Sequence, residues 1–367
     1  MSKACSKDES FRILIIRFSS IGDIILTSSI IPILKKNFPN IRIDYLTLSQ
    51  YKNLLIYNPN IENVLLIDRN KGVAHISRNM VNYRRKKYKY IFDLHRSSRS
   101  LVFSLFLRSE RRFVVKKHYF KRFLLVKLNI NLYKEPYSVV NKYLKVARFL
   151  NPDLEEKSEI WVAIDELNSA INKLRRAVGE ILYLSDELSA RIKIEKGIVR
   201  FKKGRVISLM PFAKWGTKEW GDNKYIELGC RLTEDSETTV LILGGKEDII
   251  RSEEIAHKIG KQAIPFAGGL SLSETAIALS ISDCLITNDT GIMHMGGAVS
   301  IPVISLFGST SEELGFFPHM TEGEVVELPL DCRPCTTKGF MRCPKGHFRC
   351  MNDILVERVY SIVRKYL

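Results

Sequence analysis

The chain has 367 residues, 45% of them hydrophobic and 26% charged, with a formal net charge of +17. That length is too great for one ordinary core and suits two α/β domains, while the balanced composition excludes an extended disordered or low-complexity chain. The start MSKACSKDESFRILIIRF has no continuous apolar run or cleavage site of a secretory signal, and stretches such as Leu101 to Leu107 are too short to span a bilayer, so a cytoplasmic protein is expected.

Residues 12 to 17 (RILIIR) read as a strand, and Ser19-Ser20-Ile21-Gly22-Asp23 opens a helical stretch after a tight turn. Further strands are predicted at Ile41 to Leu46, Val64 to Ile67 and Tyr90 to Leu94, an alternation that implies a mostly parallel, doubly wound sheet. Between Arg69 and Lys127 stand 18 Lys and Arg against only Asp93 and Glu110, a local excess of +16 that accounts for nearly all of the net charge. Such a field recruits phosphates, acidic sugars, nucleic acid or an anionic membrane surface, or it is a solvated face. From Glu155 to Lys203 the sequence turns charged and loosely periodic, and the domain junction is expected between Lys196 and Gly204. The pattern then repeats. Strands are predicted at Val206 (VISLM), Val240 (VLILGG), Cys284 (CLITND) and Pro302 (PVISLFG), with a ligand at their carboxyl ends. Ile354 to Leu367 has the spacing of one amphipathic helix. No GxGxxG or P-loop sequence occurs, which argues against a nicotinamide dehydrogenase or a P-loop nucleotidase and favours a nucleotide-sugar enzyme.

Several constellations carry chemistry. In Ser19-Ser20-Ile21-Gly22-Asp23, Gly22 permits close backbone approach at a strand-to-helix turn, and Asp23 in the first helical turn is either a general base at a cleft or a helix-capping acid. In Asn288-Asp289-Thr290-Gly291-Ile292-Met293-His294, Asp289 and Thr290 start a helix whose free N–H groups suit a diphosphate, with Gly291 leaving room for it. An ordinary capped helix with His294 in the core is the alternative. Lys218, within Lys214-Trp215-Gly216-Thr217-Lys218-Glu219-Trp220, suits a leaving pyrophosphate or a surface salt bridge. Glu247, after Gly244-Gly245-Lys246, stands where Rossmann-like sites place an acid on a ribose. Finally, Cys332, Cys335, Cys343 and Cys350 are spaced C-x2-C-x7-C-x6-C with His347 in the last interval. Four sulfurs could hold structural zinc, but the second pair lacks the short spacing of ribbon-type sites, and reduced thiols in a packed loop are the favoured reading.

Taken together these stretches resemble glycosyltransferase family nine, the lipopolysaccharide heptosyltransferases. The matching text is RFSSIGDIILTSSIIPILKKNFPNIRIDYLT at the front, KEWGDNKYIEL and LILGGKED in the middle, and GGLSLSETAIALSISDCLITNDTGIMHMGGAVSIPVISLFGST near the end. CRPC…CPKGHFRCM is similar to the tail of members that add the second heptose, with a longer gap between Cys335 and Cys343. The resemblance implies an α/β protein of GT-B fold, two Rossmann-like domains facing across a cleft. The acceptor domain is expected at 1–200, rejoined by a C-terminal helix at 352–367, and the nucleotide-sugar domain at 201–351.

It further implies an inverting, metal-independent transfer of heptose from ADP-heptose, as co-substrate and without a cofactor, to the inner core of lipopolysaccharide. By the same resemblance Asp23 is the base and Lys218 binds the donor diphosphate. Lys214, Gly245, Glu247, Leu270, Asp289, Thr290, Gly291 and His294 hold the donor. On the acceptor side the implied residues are Ser20, Gly22, Arg96, Arg99, Lys121 and Arg122, the last four in the basic segment where the family meets a phosphorylated, Kdo-bearing lipid. A monomer in peripheral contact with the inner membrane, with no nucleic-acid partner, completes the expectation. A family member using another nucleotide sugar or glycan acceptor is the nearer rival. A nucleic-acid-binding protein, built on the basic segment and cysteine-rich tail, is the remote one, and it leaves SSIGD and NDTGxMH unexplained.

Overall fold

A computed structural model describes residues 10–133, 138–147, 157–178, 193–194 and 204–367. The chain divides into two compact units, the first comprising residues 1–117 and 139–161, the second 118–138 and 162–367.

The first unit holds a five-stranded sheet in the order β3-β2-β1-β4-β5, formed by β1 (Arg12–Ile16), β2 (Arg42–Leu48), β3 (Asn63–Ile67), β4 (Tyr88–Asp93) and β5 (Ser109–Val114). All neighbours run parallel. In β1 the sequence is almost continuously apolar, as befits a strand covered on both faces, and Ile13, Leu14, Ile15 and Ile16 are fully buried. The expected strands lie where β1 to β4 are found. β5 was not expected, because SERRFV carries three charges and four of its six residues are exposed. Such a strand belongs at an edge, where charge discourages further pairing.

A short pair, β6 (Trp161–Val162) with β7 (Lys193–Ile194), precedes the second large sheet. That sheet has the order β10-β9-β8-β11-β12-β13, with β8 (Arg205–Met210), β9 (Thr238–Ile242), β10 (Ala263–Pro265), β11 (Cys284–Asn288), β12 (Val303–Leu306) and β13 (Gly323–Val326), again all parallel. The four predicted strands form its centre. The two that were missed, AIP and GEVV, are its edges, and neither is long enough to show a periodicity. Both large sheets reverse their winding beside their own first strand, at β1/β4 and β8/β11, and that crevice at the carboxyl ends is where such sheets take ligands.

The domain boundaries differ from expectation. The expected junction at 196–204 lies, but for Gly204, outside the described residues. Residues from Val162 on already group with the second unit, because the helix Ile164–Val178 lays Leu167, Ala170 and Leu174 against that unit. Lys173 Nζ and Ser169 Oγ also donate to Glu274, at 2.7 and 2.6 Å. The C-terminal helix Val356–Val363 was expected to rejoin the first domain. Instead Val359, Ile362 and Val363 enter the second unit's core beside Tyr225, Leu228 and Leu232, and Glu357 pairs with Arg231. A continuous apolar stripe on the last helix finds its match on the helix Asp222–Leu232. Among the described residues no helix is long and apolar enough to cross a membrane.

Candidate active site

In the first unit β1 ends at Ile16, and the chain turns through Arg17 to Ser20 into the helix Ile21–Ser28, with Ser20 as its N-cap. Asp23 is the third helical residue, and its Oδ2 accepts from Ser20 Oγ at 3.0 Å and Ser20 N at 3.4 Å. Up to this point it is a first-turn capping acid, as the macrodipole favours. Two further partners go beyond capping. Arg17, 8% exposed, forms an ion pair with Asp23 Oδ2, and Tyr143 Oη donates to Oδ1 at 2.6 Å. Arg17 is held in turn by the carbonyls of Ser19 (2.7 Å) and Leu94 (2.6 Å), the latter just past β4, and its guanidinium lies 5.5 Å from the Tyr143 ring centre.

Burial alone would raise the Asp23 pKa. Arg17, the Tyr143 hydroxyl, the nearby Lys142 and the Ser20 amide outweigh it and hold the carboxyl down at about 2. Burial, seconded by the Asp23 charge, pushes the Tyr143 phenol well above its usual range, so it stays a donor at neutral pH. The arrangement is a carboxylate ionised at neutral pH with both oxygens oriented. Sequence reasoning found Asp23 and missed its partners. Arg17 stood in plain sight six residues upstream, whereas Tyr143 is 120 residues away and carries no local signal.

In the second unit the corresponding crevice gathers Lys218 after β8 and Asp289-Thr290 after β11. Lys218 Nζ donates to Asp289 Oδ2 at 2.5 Å and to the Asp289 carbonyl at 3.2 Å, and Thr310 Oγ1 donates to Oδ2 at 2.6 Å. Thr290 is the N-cap of the helix Gly291–Ala298 and lies 3.3 Å, hydroxyl to hydroxyl, from buried Thr287. Asn288, fully buried, fixes the turn by donating to the Pro211 carbonyl (2.6 Å) and accepting from Trp220 N (3.2 Å). A lysine thus stands beside a helix start, the usual construction for a phosphate. Thr310 and Asn288 hold this arrangement in place; Asn288 stood in the motif without a role of its own, and Thr310 was outside it. His294 is buried within this helix, its ring 6.2 Å from that of Phe316.

The remaining expected residues are spread around these two centres. Glu247 is exposed in the turn Lys246–Asp248 that follows β9, and it folds back so closely that a Cβ on Gly245 would come within 2.6 Å of its Oε2. Gly245 N donates to Asp248 at 2.8 Å, closing the turn. Leu270 is half-buried just before the N-cap Ser271, and Lys214 is exposed with its Nζ 5.8 Å from the Trp215 ring centre.

On the acceptor side Ser20 is exposed and Gly22 buried. Arg96 and Arg99 are exposed past β4, where Asp93 accepts from Arg96 N at 2.8 Å. Lys121 and Arg122, expected in the acceptor domain, group with the second unit instead. Their helix Tyr119–Leu128 is tied there by Arg122 over the Phe316 ring (6.0 Å) and by Asn131 donating to Glu313 at 3.3 Å.

Cys332, Cys335, Cys343, Cys350 and His347 line one void of about 10 Å³. Among the described residues, however, no three His, Cys, Asp or Glu side chains are placed to hold a metal. Cys335 Sγ points to the Ser309 carbonyl at 3.6 Å, Cys332 Sγ lies 3.8 Å from His347 Nε2, and burial pushes the Cys350 thiol up to about 11.

A parallel sheet with charged and polar side chains at its switch point, present twice in one chain, defines a two-domain α/β protein of doubly wound type. The sequence profile of Glycosyltransferase family 9 (heptosyltransferase) matches residues 78–343, and the chain belongs to that family. It is 25% identical over 334 residues to lipooligosaccharide heptosyltransferase 2 of Haemophilus influenzae, a match covering 86% of this chain and 90% of that protein. Against lipooligosaccharide heptosyltransferase 2 of Campylobacter jejuni the match is 25% over 184 residues, 49% of this chain and 57% of the relative's length. The fold is that of the Escherichia coli ADP-heptose lps heptosyltransferase II, with a TM-score of 0.70 at 19% identity, covering 97% of this chain and 98% of that one. The GT-B class expected from the sequence is therefore the class found.

Proposed function

We propose that this chain transfers heptose from ADP-heptose to the anionic inner core of lipopolysaccharide, by a single inverting displacement. The observation that carries the reading is Lys218 beside the Thr290 helix start at the β8/β11 switch point. A diphosphate placed there meets a cation and the N–H groups of the first turn together, and charge developing on the leaving group is stabilised without reorganisation. Asp289 holds Lys218 in place, Gly291 leaves the helix start open, and Glu247 and Gly245 at the end of β9 reach the ribose. Lys214, Leu270 and His294 complete the donor side by family resemblance.

Asp23, ionised throughout the neutral range, accepts the proton of the acceptor hydroxyl as that oxygen attacks the anomeric carbon, and one displacement without a covalent intermediate inverts the centre. Ser20, Gly22, Arg96 and Arg99 flank it on the acceptor side, and the basic segment attracts phosphates and Kdo carboxylates. The names of the relatives support donor and acceptor: one is an ADP-heptose lps heptosyltransferase, another a lipooligosaccharide heptosyltransferase. With Lys218 and the helix start opposing the diphosphate charge, the reaction runs without a divalent cation. The protein works as a cytoplasmic monomer at the inner face of the membrane that holds its acceptor.

Mass spectrometry of heptose-deficient lipopolysaccharide core after incubation with the protein and ADP-heptose tests the reading. Gain of one heptose is expected. No gain with ADP-heptose, but transfer from another nucleotide sugar, overturns the donor assignment.

A further inference from the structure

The helix Tyr119–Leu128 (YFKRFLLVKL) turns its large side chains the wrong way for a soluble protein. Tyr119 is 61% exposed, Phe120 70%, Phe123 56% and Leu128 57%, and only Leu125 of the helix is buried. At about 100° per residue, Tyr119, Phe120, Phe123 and Lys127 share one arc of roughly 100°, opposite Leu125. Beyond the helix Asn129 takes a left-handed conformation, Ile130 N closes back on the Leu124 carbonyl at 3.1 Å, and Ile130 and Leu132 are 46% and 41% exposed. Lys121 Nζ donates to the Leu132 carbonyl at 3.1 Å, so this apolar ledge has a defined shape. Folding does not require these rings outside.

We propose that this ledge is an interfacial membrane anchor: Phe120 and Phe123 enter the headgroup region of an anionic bilayer, while the exposed Lys127 on the same arc meets lipid phosphates. The charge pattern selects that occupant. From Tyr119 to Tyr133 there is no acid, and the helix ends the segment whose local excess is +16. Exposed aromatic rings interleaved with lysine and arginine, on a helix packed by one residue, are what an interfacial helix requires. A nucleic acid would be served by the cations and rings but gives no role to Leu128, Ile130 and Leu132. A protein partner would match so uniformly basic a rim only if it were strongly acidic. The proposal rests on the membrane-held acceptor of the functional reading for its purpose, and on the exposed side chains alone for its location.

The test is sedimentation of the full-length protein with vesicles of phosphatidylethanolamine and phosphatidylglycerol, beside vesicles of phosphatidylcholine. The wild type is expected to bind the anionic vesicles, several-fold more weakly when salt is raised from about 50 to 500 mM. Phe120→Ser with Phe123→Ser should lower the partition coefficient at least about tenfold, since each ring forfeits its transfer from water. Both side chains are solvated, so the far-ultraviolet dichroism and turnover on detergent-dispersed acceptor should be unchanged. Absence of wild-type binding to anionic vesicles, equal binding by the double variant, or a preference for RNA over vesicles overturns the proposal. Vesicle binding that depends on both rings, in a protein that transfers no sugar in any format, leaves the anchor standing and defeats the functional reading instead.

Discussion

Replacing Tyr143 by Phe removes one hydroxyl from the surroundings of Asp23 and leaves the ring over Arg17. The lost bond is a 2.6 Å donation to a carboxylate whose side chain is 14% exposed. Hydrogen bonds to charged groups are worth about 1.5–3 kcal/mol, and the lower end, about 1.5–2 kcal/mol, suits a partly solvated site. The bond favours the ionised form, so its removal raises the Asp23 pKa from about 2 toward the unfolded value near 3.8. A depressed folded pKa contributes stability that is complete above the unfolded pKa and is lost as pH falls through the folded one.

Peptide-resolved hydrogen exchange over Ile21–Ser28 reads this directly. At pH 7 the variant should lose about 10- to 30-fold in protection, and the deficit should shrink from pH 4 downward to less than half its free energy near pH 2.5. No deficit at pH 7 refutes the hydrogen-bonding argument, and a deficit that keeps its size to pH 2.5 shows that the hydroxyl acts through packing and not through the carboxylate. Since Tyr143 orients the base without being one, turnover should stay within about tenfold of wild type.

Asp23→Asn should lower kcat on the order of 10²- to 10⁴-fold with little change in donor affinity. Because Arg17 then loses a partner in a largely buried site, stability should also fall, by on the order of 3 kcal/mol, so rates are compared where hydrogen exchange shows the variant folded. Near-normal turnover would make Asp23 a cap and leave the base unidentified. Neutralising Arg96 and Arg99 should raise the acceptor KM severalfold and leave ADP affinity alone, and the reverse result in steady-state kinetics would count against an acceptor role for the first unit. Activity should survive EDTA; abolition with rescue by magnesium or manganese would sink the displacement proposed at Lys218. Asp289→Asn should tighten ADP binding in calorimetry while lowering kcat, because the diphosphate no longer shares Lys218 with a carboxylate, and weaker ADP binding would show that Asp289 itself contacts the donor.

Much of the fold was legible because buried parallel strands are written as apolar runs: RILII, VISLM, CLITN and VISL all announce themselves. Edge strands do not. SERRFV, AIP and GEVV are too charged or too short, and they become strands only because a neighbour presents free backbone groups. The candidate residues Asp23, Lys218 and Asp289 could be singled out because each follows a strand within eight residues, inside a local motif. Tyr143 and Thr310 were not, since each reaches its carboxylate from a different part of the chain. Domain membership failed for the same reason. Whether the helix Tyr119–Leu128 goes with one unit or the other is decided by Arg122 on Phe316 and Asn131 on Glu313, partners nearly two hundred residues away.

The two centres share an electrostatic design. Asp23 is held ionised by Arg17, and Lys218 is held by Asp289, so each working charge is stored as half of an ion pair. Storing it this way avoids the several kcal/mol that an unpaired charge would cost in a partly buried site. Under the proposed function it also means that substrate binds by exchange. A diphosphate at the Thr290 helix start competes with the Asp289 carboxylate for Lys218, and an acceptor hydroxyl near Asp23 competes with Ser20 and Tyr143 for the carboxylate oxygens. In that reading the exchange at Lys218 replaces one anionic partner by another and the exchange at Asp23 replaces one neutral hydroxyl donor by another, so little net charge is desolvated before electron density moves onto the leaving diphosphate. For the displacement proposed above, Lys218 would then already stand in position, with Thr310 and Asp289 fixing its reach, and the stabilisation it offers would grow with the charge being formed.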